Sequence, residues 1–443
     1  MWRDLADAGR RDQRRPALQV VVDARLKDGS AGGVLTFVIG LASALSRLDD
    51  GDEEYLFLGQ RDQTEWLSPY LSGRAHLISP ATAERVHAAA GAATRARAAV
   101  GRRLPLLRSA WRRIARARSG GAVALAASDG TVESSGAEVL HFTFQGAFIT
   151  EVPSLYQPWD LQHVHLPEFF TTDELRWRDA AYRRFSERAE TVVVASRWGK
   201  EDVVRHLGVA STKVAIVEVP SVIDAYPTPG TDTLELIRRK FDLPPRFVYY
   251  PAQTWRHKNH LRLIEAVALL RDRDGIDIDL VCSGTQNEHF PACQAAVRRL
   301  RLEGRIRFLG FVEPAEIQAL YRLARCLVFP SLFEGWGMPV VEAFFVGLPV
   351  ACSNVTSLPD LVGDAALVFD PLDVEAIAAA ISRLWQDDDL GVLLARRGRD
   401  TVARLDWPRT ARTYRAHYRA AARRPLTTED RLLLAHSFGI ADP

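Results

Sequence analysis

Two glutamates, Glu334 and Glu342, stand eight residues apart across a stretch that also holds Gly335, Gly337, Met338 and Pro339. Residues 326–330 (CLVFP) read as a short buried strand, and 340–346 as a helix with apolar residues at helical intervals, so the pair spans a strand-to-helix turn. Such a turn offers bare backbone N–H groups and the positive end of a helix dipole, and glycine lets a ligand approach the main chain closely. One carboxylate there is as readily a helix cap as a ligand group. Two of them suit a phosphate poorly but accept well from hydroxyls, which points to a polyol: a sugar at Glu334 and a ribose at Glu342.

Three further groups carry chemistry. Arg256 and Lys258 follow the candidate strand 247–250 and precede the candidate helix 261–270, where cations beside a helix N-terminus favour a diphosphate. Taken alone, two basic residues in a loop are a solvated pair. Gly32 and Gly33 close a glycine-rich run after the first candidate strand, but no G-x-G-x-x-G is spelled, which disfavours a dinucleotide redox fold. Trp159, Asp160, His163 and His165 share one loop; histidines so close suggest a metal, yet two nitrogens lack a clear third ligand. No metal is therefore expected. The D-x-D pairs Asp272 with Asp274 and Asp277 with Asp279 fall at a helix end and a strand start and read as surface carboxylates.

The elements that must position these groups alternate. Strand-like runs at 18–23, 54–58, 139–142, 191–195 and 214–219, then 247–250, 279–282, 306–309, 326–330, 349–353 and 366–369, are separated by amphipathic helical patterns. That alternation predicts an α/β protein with two doubly wound Rossmann-like domains facing across a cleft, ligands lying at the carboxyl ends of the strands. The expected division is a domain at 1–220, a proline-rich linker at 221–232, a second domain at 233–405, a helix at 406–424 crossing back to the first domain, and a tail at 425–443. A chain of 443 residues, 47% hydrophobic, can fill such cores.

Composition narrows the classes further. A net charge of +2 argues against a general nucleic-acid binder, so no nucleic-acid partner is expected. Cys282, Cys293, Cys326 and Cys352 form no C-x-x-C pair and read as reduced core thiols. The first 16 residues lack an apolar signal core and no run reaches the ~20 residues of a bilayer span, so a cytoplasmic location is expected. Residues 85–118 stand apart, with ten arginines and no acidic residue. Leu104, Leu107, Trp111 and Ile114 fall on one helical face there, which fits peripheral attachment to an anionic membrane surface on its inner face. A solvated basic helix packed on its own domain fits the same pattern.

The segment 331–349 resembles the E-x7-E signature of retaining family 4 glycosyltransferases (glycosyl transferases group 1), which have the two-domain GT-B fold. The likeness runs upstream through Phe308-Leu-Gly-Phe-Val312 and downstream to Phe369-Asp370-Pro371. It implies that Lys258 contacts donor phosphates, that Gly32 and Gly33 approach donor and acceptor, and that Val312, Gly335, Gly337, Met338, Pro339 and Glu342 line the donor site. Arg256 would replace an arginine that relatives often carry where this chain has Ala252. Asp160 matches the aspartate of a His-Asp pair whose histidine is here Trp159; Trp159, His163, His165 and Ser196 are expected on the acceptor side. The implied reaction is transfer of a hexose, mannose or glucose, from GDP-mannose or UDP-glucose to a glycan or lipid-linked acceptor in polysaccharide assembly. Glu334, Lys258, Arg256 and Asp160 would be its catalytic groups, with no cofactor and no metal. Two alternatives stay open: a nucleotide-sugar epimerase of similar fold, and a non-catalytic membrane or RNA adaptor built on 85–118.

Overall fold

The computed structural model describes residues 16–26, 32–60, 65–79, 123–223 and 228–440; the basic segment 85–118 lies outside them. The first domain is built on a parallel sheet of β1 (Leu18–Asp23), β2 (Glu53–Leu58), β3 (Ala75–Ile78), β4 (Val139–Phe142), β5 (Ser154–Tyr156), β6 (Thr191–Val194) and β7 (Val214–Ile216). Its order is β3-β2-β1-β4-β5-β6-β7. Runs such as LQVVVD and TVVV are apolar almost throughout because helices cover both faces of the sheet. In the second domain β8 (Val248–Pro251), β9 (Leu280–Ser283), β10 (Ile306–Phe308), β11 (Cys326–Phe329), β12 (Val350–Ser353) and β13 (Ala366–Phe369) order as β10-β9-β8-β11-β12-β13. The four cysteines are free and buried in this half.

Each sheet reverses winding once, between β1 and β4 and between β8 and β11. At such a point the loops leaving neighbouring strands diverge to opposite faces and open a crevice beyond the strand ends. The loops leaving β1, β8 and β11 are the ones that carry Gly32–Gly33, Lys258 and Glu334.

The helix Trp407–Ala421 returns to the first domain as expected, its first turn capped by the Asp406 carboxylate, which accepts from the Arg409 amide at 2.7 Å. Helix Gly33–Leu45 makes room for it at Gly40: a Cβ there would meet the Trp407 ring at 1.9 Å. Tyr414 donates to Gln157 Oε1 at 3.0 Å, and the Tyr418 hydroxyl lies 2.9 Å from His141 Nδ1. Arg419 is held between Glu53 at 2.6 Å and Asp430 at 2.8 Å, all three buried. Asp430 belongs to a further helix, Thr428–Phe438, which opens on a reciprocal Thr427–Asp430 capping box. The stretch set aside as a tail is thus a docked element. Helix Thr231–Lys240 begins inside the expected linker, of which 224–227 lie outside the described residues.

Candidate functional site

The turn after β8 tightens into a short 3-10 helix, Arg256–Lys258, and ends at Asn259, whose φ of 59° lies in the left-handed region. Asparagine tolerates that conformation, and its side chain repays it with bonds. Asn259 Nδ2 donates to the carbonyls of Pro330 (3.0 Å) and Pro371 (2.7 Å), so the Lys258 turn is fastened to the end of β11 and to the loop after β13. Tyr250 adds a 2.6 Å bond to the Lys258 carbonyl. The turn after β11 is tied in the same manner: the Glu334 amide donates to Thr356 Oγ1 at 3.1 Å, and Ser357 Oγ donates to the Glu334 carbonyl at 3.0 Å. Gly337, with φ of 98°, then opens the helix Met338–Val346.

These supports bring Lys258 Nζ to 2.5 Å from Glu334 Oε1, with side chains only 19% and 11% exposed. The two groups expected to serve phosphate and sugar separately are ion-paired to each other. Asp160 stands close by: its carboxyl feels both charges and is pushed up from its ordinary value chiefly by burial, while its Oδ1 accepts from the Gln162 amide at 3.0 Å. Glu342, on the helix, accepts from Tyr321 at 2.7 Å, and burial pushes its carboxyl up to about 7. Met338 and Val312 are buried and Pro339 is half-buried.

The first domain closes over this floor mainly through backbone. A Cβ on Gly335 would lie 2.4 Å from the Trp159 carbonyl oxygen, and one on Gly33 would touch the Met338 side chain at 3.5 Å. Gly32, with φ of 48°, faces Gln253. Ser196 caps the helix Arg197–Leu207 and also donates across the cleft to the Gly335 carbonyl at 3.2 Å. Arg256 reaches over from the second domain, its guanidinium 4.7 Å from the centre of the Phe169 ring.

Trp159 departs from the acceptor-side expectation. Its ring is inside the first-domain core, 8% exposed, donating to the Thr143 carbonyl at 2.8 Å and edge-on to Phe37 at 5.0 Å. With φ of 67° its backbone turns sharply, and only main chain reaches the cleft. His163 is also buried, edge-on to Tyr182 at 4.8 Å with neither ring nitrogen bonded; burial lowers its pKa to about 4. His165 instead bonds Asp202 Oδ1 at 2.7 Å and packs on Phe333, the residue before Glu334. The sequence signals for Asp202, Thr356 and Ser357 were faint, since ordinary helix and turn positions carry them. The D-x-D carboxylates pair with surface arginines, Asp272 with Arg271 at 2.7 Å and Asp277 with Arg305 at 2.6 Å.

Known proteins share part of this sequence and its fold. Residues 235–401 match the family described as glycosyl transferases group 1. The O-antigen chain mannosyltransferase B of Escherichia coli is 30% identical over 248 residues, 56% of this chain and 65% of that protein. A D-inositol 3-phosphate glycosyltransferase of Corynebacterium glutamicum is 28% identical over 54% of this chain and 59% of its own length. The chain thus spans less than two-thirds of these curated relatives. Among solved structures, Anabaena HepE in complex with UDP and glucose superposes with a TM-score of 0.66 at 17% identity, covering 91% of this chain and 100% of that one. WaaG, a glycosyltransferase involved in lipopolysaccharide biosynthesis, gives 0.61 at 14% identity over 91% and 99%. The fold is GT-B, and residues 235–401 carry the likeness to the glycosyl transferases group 1.

Proposed function

We propose that the chain is a group 1 glycosyl transferase that moves a hexose from a nucleotide-diphosphate sugar to a glycan or lipid-linked acceptor, with retention at the anomeric carbon and without a metal in the donor site. The observation that carries this reading is the convergence of Lys258, Glu334 and Asp160 with the Gly32–Gly33 loop, at the winding reversals of two facing sheets. Mannose is the first choice of sugar because the O-antigen relative is a mannosyltransferase; UDP-glucose is the competing donor.

In this mechanism Lys258 meets the diphosphate and stabilises the charge that grows on it as the sugar leaves. Arg256, and main-chain amides near Gly33 and Gly337, add to that stabilisation. Glu334 trades its bond with Lys258 for sugar hydroxyls, and Glu342 receives the ribose. The departing phosphate oxygen takes the acceptor proton on the same face, so no side-chain nucleophile is needed and positioning supplies much of the rate. Asp160, its carboxyl pushed up from its ordinary value by burial, orients the acceptor or the sugar. A thermal-shift panel of nucleotide-sugars, followed by product analysis with the donor that stabilises most, tests the proposal. A labelled sugar that becomes attached to an acceptor supports it. Donor isomerised without any acceptor would instead establish the epimerase reading.

No helix among the described residues is long and apolar enough to cross a membrane. Peripheral attachment through 85–118 rests on the sequence pattern, and flotation of the full chain on anionic vesicles, with and without that segment, measures it.

A further inference from the structure

Away from the Lys258–Glu334 pair, the first domain gathers a second polar cluster. His165 ends the short helix Gln162–His165; Asp202 and His206 lie one turn apart on the helix Arg197–Leu207. His165 Nε2 is 2.7 Å and His206 Nε2 3.5 Å from the same oxygen, Asp202 Oδ1. One ligand atom from each residue lies within 4.8 Å of the other two. Bonds of about 2.0–2.2 Å in a tetrahedral zinc site hold ligand atoms roughly 3.3–3.5 Å apart. The widest separation, up to 4.8 Å, must close by about 1.4 Å and the 2.7 Å contact must open by about 0.7 Å, shifts that rotation of the three side chains can share.

The bland account is a carboxylate that orients two imidazoles. It leaves one atom unexplained: Asp202 Oδ2 is buried without a hydrogen-bond partner, on a side chain only 4% exposed. A buried carboxylate oxygen left bare is costly, and a cation removes that cost. Burial already pushes the Asp202 carboxyl up from its ordinary value despite the two histidines. Both imidazoles keep 30% of their side-chain surface exposed, which gives an ion a way in and leaves space for water as a fourth ligand. Trp198 and Phe333 pack on His165, at 5.4 Å and 5.2 Å between ring centres, and supply an apolar wall on one side.

We infer that His165, Asp202 and His206 form a binding site for one divalent transition-metal ion, with zinc the best match to two nitrogens and a carboxylate. The site joins two first-domain helices and abuts Phe333, next to Glu334 on the second domain, so its role is to brace the wall against which the Glu334 turn packs. It supplies no charge to the donor diphosphate and does not depend on the glycosyl-transfer proposal.

The test uses the full, untagged chain, stripped with chelator and titrated with Co2+ under visible absorption, then with Zn2+ in competition. One equivalent of Co2+ should bind with the intense bands of tetrahedral coordination, and Zn2+ should displace it. His165→Ala and His206→Ala should each weaken binding about 100-fold, and the melting rise produced by Zn2+ in the wild-type chain should vanish. His206→Gln keeps the volume if the alanine variant folds poorly. His76→Ala, on the far edge strand, should bind as the wild type does. Failure of the wild-type chain to bind a stoichiometric ion, or undiminished binding by the folded His165→Ala/His206→Ala variant, overturns the site. Neither result bears on sugar transfer, which is assayed separately.

Discussion

Replacing Lys258 by methionine removes one charge from a pair whose members are 19% and 11% exposed and 2.5 Å apart. Truncating one member of a fully buried pair costs about 3–5 kcal/mol, and an exposed pair is worth about 0–1. At this intermediate burial the expected loss of stability is about 2 kcal/mol, because Glu334 is left unpaired beside the Asp160 carboxyl. Function separates the two partners more sharply. Lys258→Met should weaken GDP or UDP binding and also lower kcat by about 100- to 1,000-fold, the usual effect of deleting one group aimed at developing charge. Glu334→Gln should keep the diphosphate affinity or raise it, since Lys258 is freed from its counter-ion, yet still lower kcat because the sugar loses its acceptor. Calorimetric titration of both nucleotides and steady-state transfer assays on the two variants measure this split. Weaker diphosphate binding in Glu334→Gln, or wild-type turnover in Lys258→Met, would refute the assignment of phosphate to Lys258 and sugar to Glu334.

Other perturbations follow from the same geometry. Glu342, raised from 4.5 to about 7 by burial, holds its proton more tightly folded than unfolded. Its contribution is thus complete below about pH 4.5 and drains away as pH rises through about 7, roughly 3 kcal/mol in all. The melting temperature of Glu342→Gln, plotted against pH beside the wild type, should lack that decline, and parallel curves would show the carboxyl to be ordinary. Gly337→Ala places a Cβ at φ of 98° and 2.7 Å from Leu358 Cδ2, so chemical denaturation should register a loss of about 1–3 kcal/mol. In Gly335→Ala the obstacle is the Trp159 carbonyl across the cleft, so kcat should fall while the melting temperature barely moves. Arg419→Met strips the buried Glu53 and Asp430 carboxylates of their partner; a loss of about 3–5 kcal/mol is expected by urea unfolding.

Much of the architecture was legible because parallel, doubly covered strands leave an unbroken apolar run. β1, β4 and β13 coincide with the sequence reading, and most others differ by a residue or two at an end. β5, of three residues, and the edge strand β3, whose His76 points to solvent, are too short or too polar to announce themselves. The docked helix Thr428–Phe438 escaped for another reason: its buried contacts include polar ones through Asp430 and Ser437, so no apolar face marks it. At the candidate site, residue type and spacing singled out Glu334, Lys258 and the glycines, which the fold brings to one cleft. Their pairing did not show, because 76 residues and a crossover separate Lys258 from Glu334. Trp159 misled because a tryptophan in a loop can face either way; here the core offered its indole N–H the Thr143 carbonyl.

The two domains meet the proposed donor site in different ways, and the difference bears on how it would work. The second domain contributes charged side chains held by hydrogen bonds within that domain, from Asn259, Thr356 and Ser357. The first domain contributes main chain at Trp159, Gly32 and Gly33, the Asp160 carboxyl beside the pair, and side-chain contacts from Ser196, Phe169, His165 and Trp198. The Ser196 hydrogen bond and the Arg256–Phe169 contact are each worth about 1 kcal/mol. The bonds that hold Lys258 and Glu334 in place lie within the second domain, whereas the glycine loop and the Trp159 carbonyl belong to the other side of the cleft. For the proposed donor this division predicts charged recognition by the second domain and a backbone ceiling from the first, so that substitutions at Lys258 or Glu334 change nucleotide affinity more than Gly32→Ala or Gly33→Ala does.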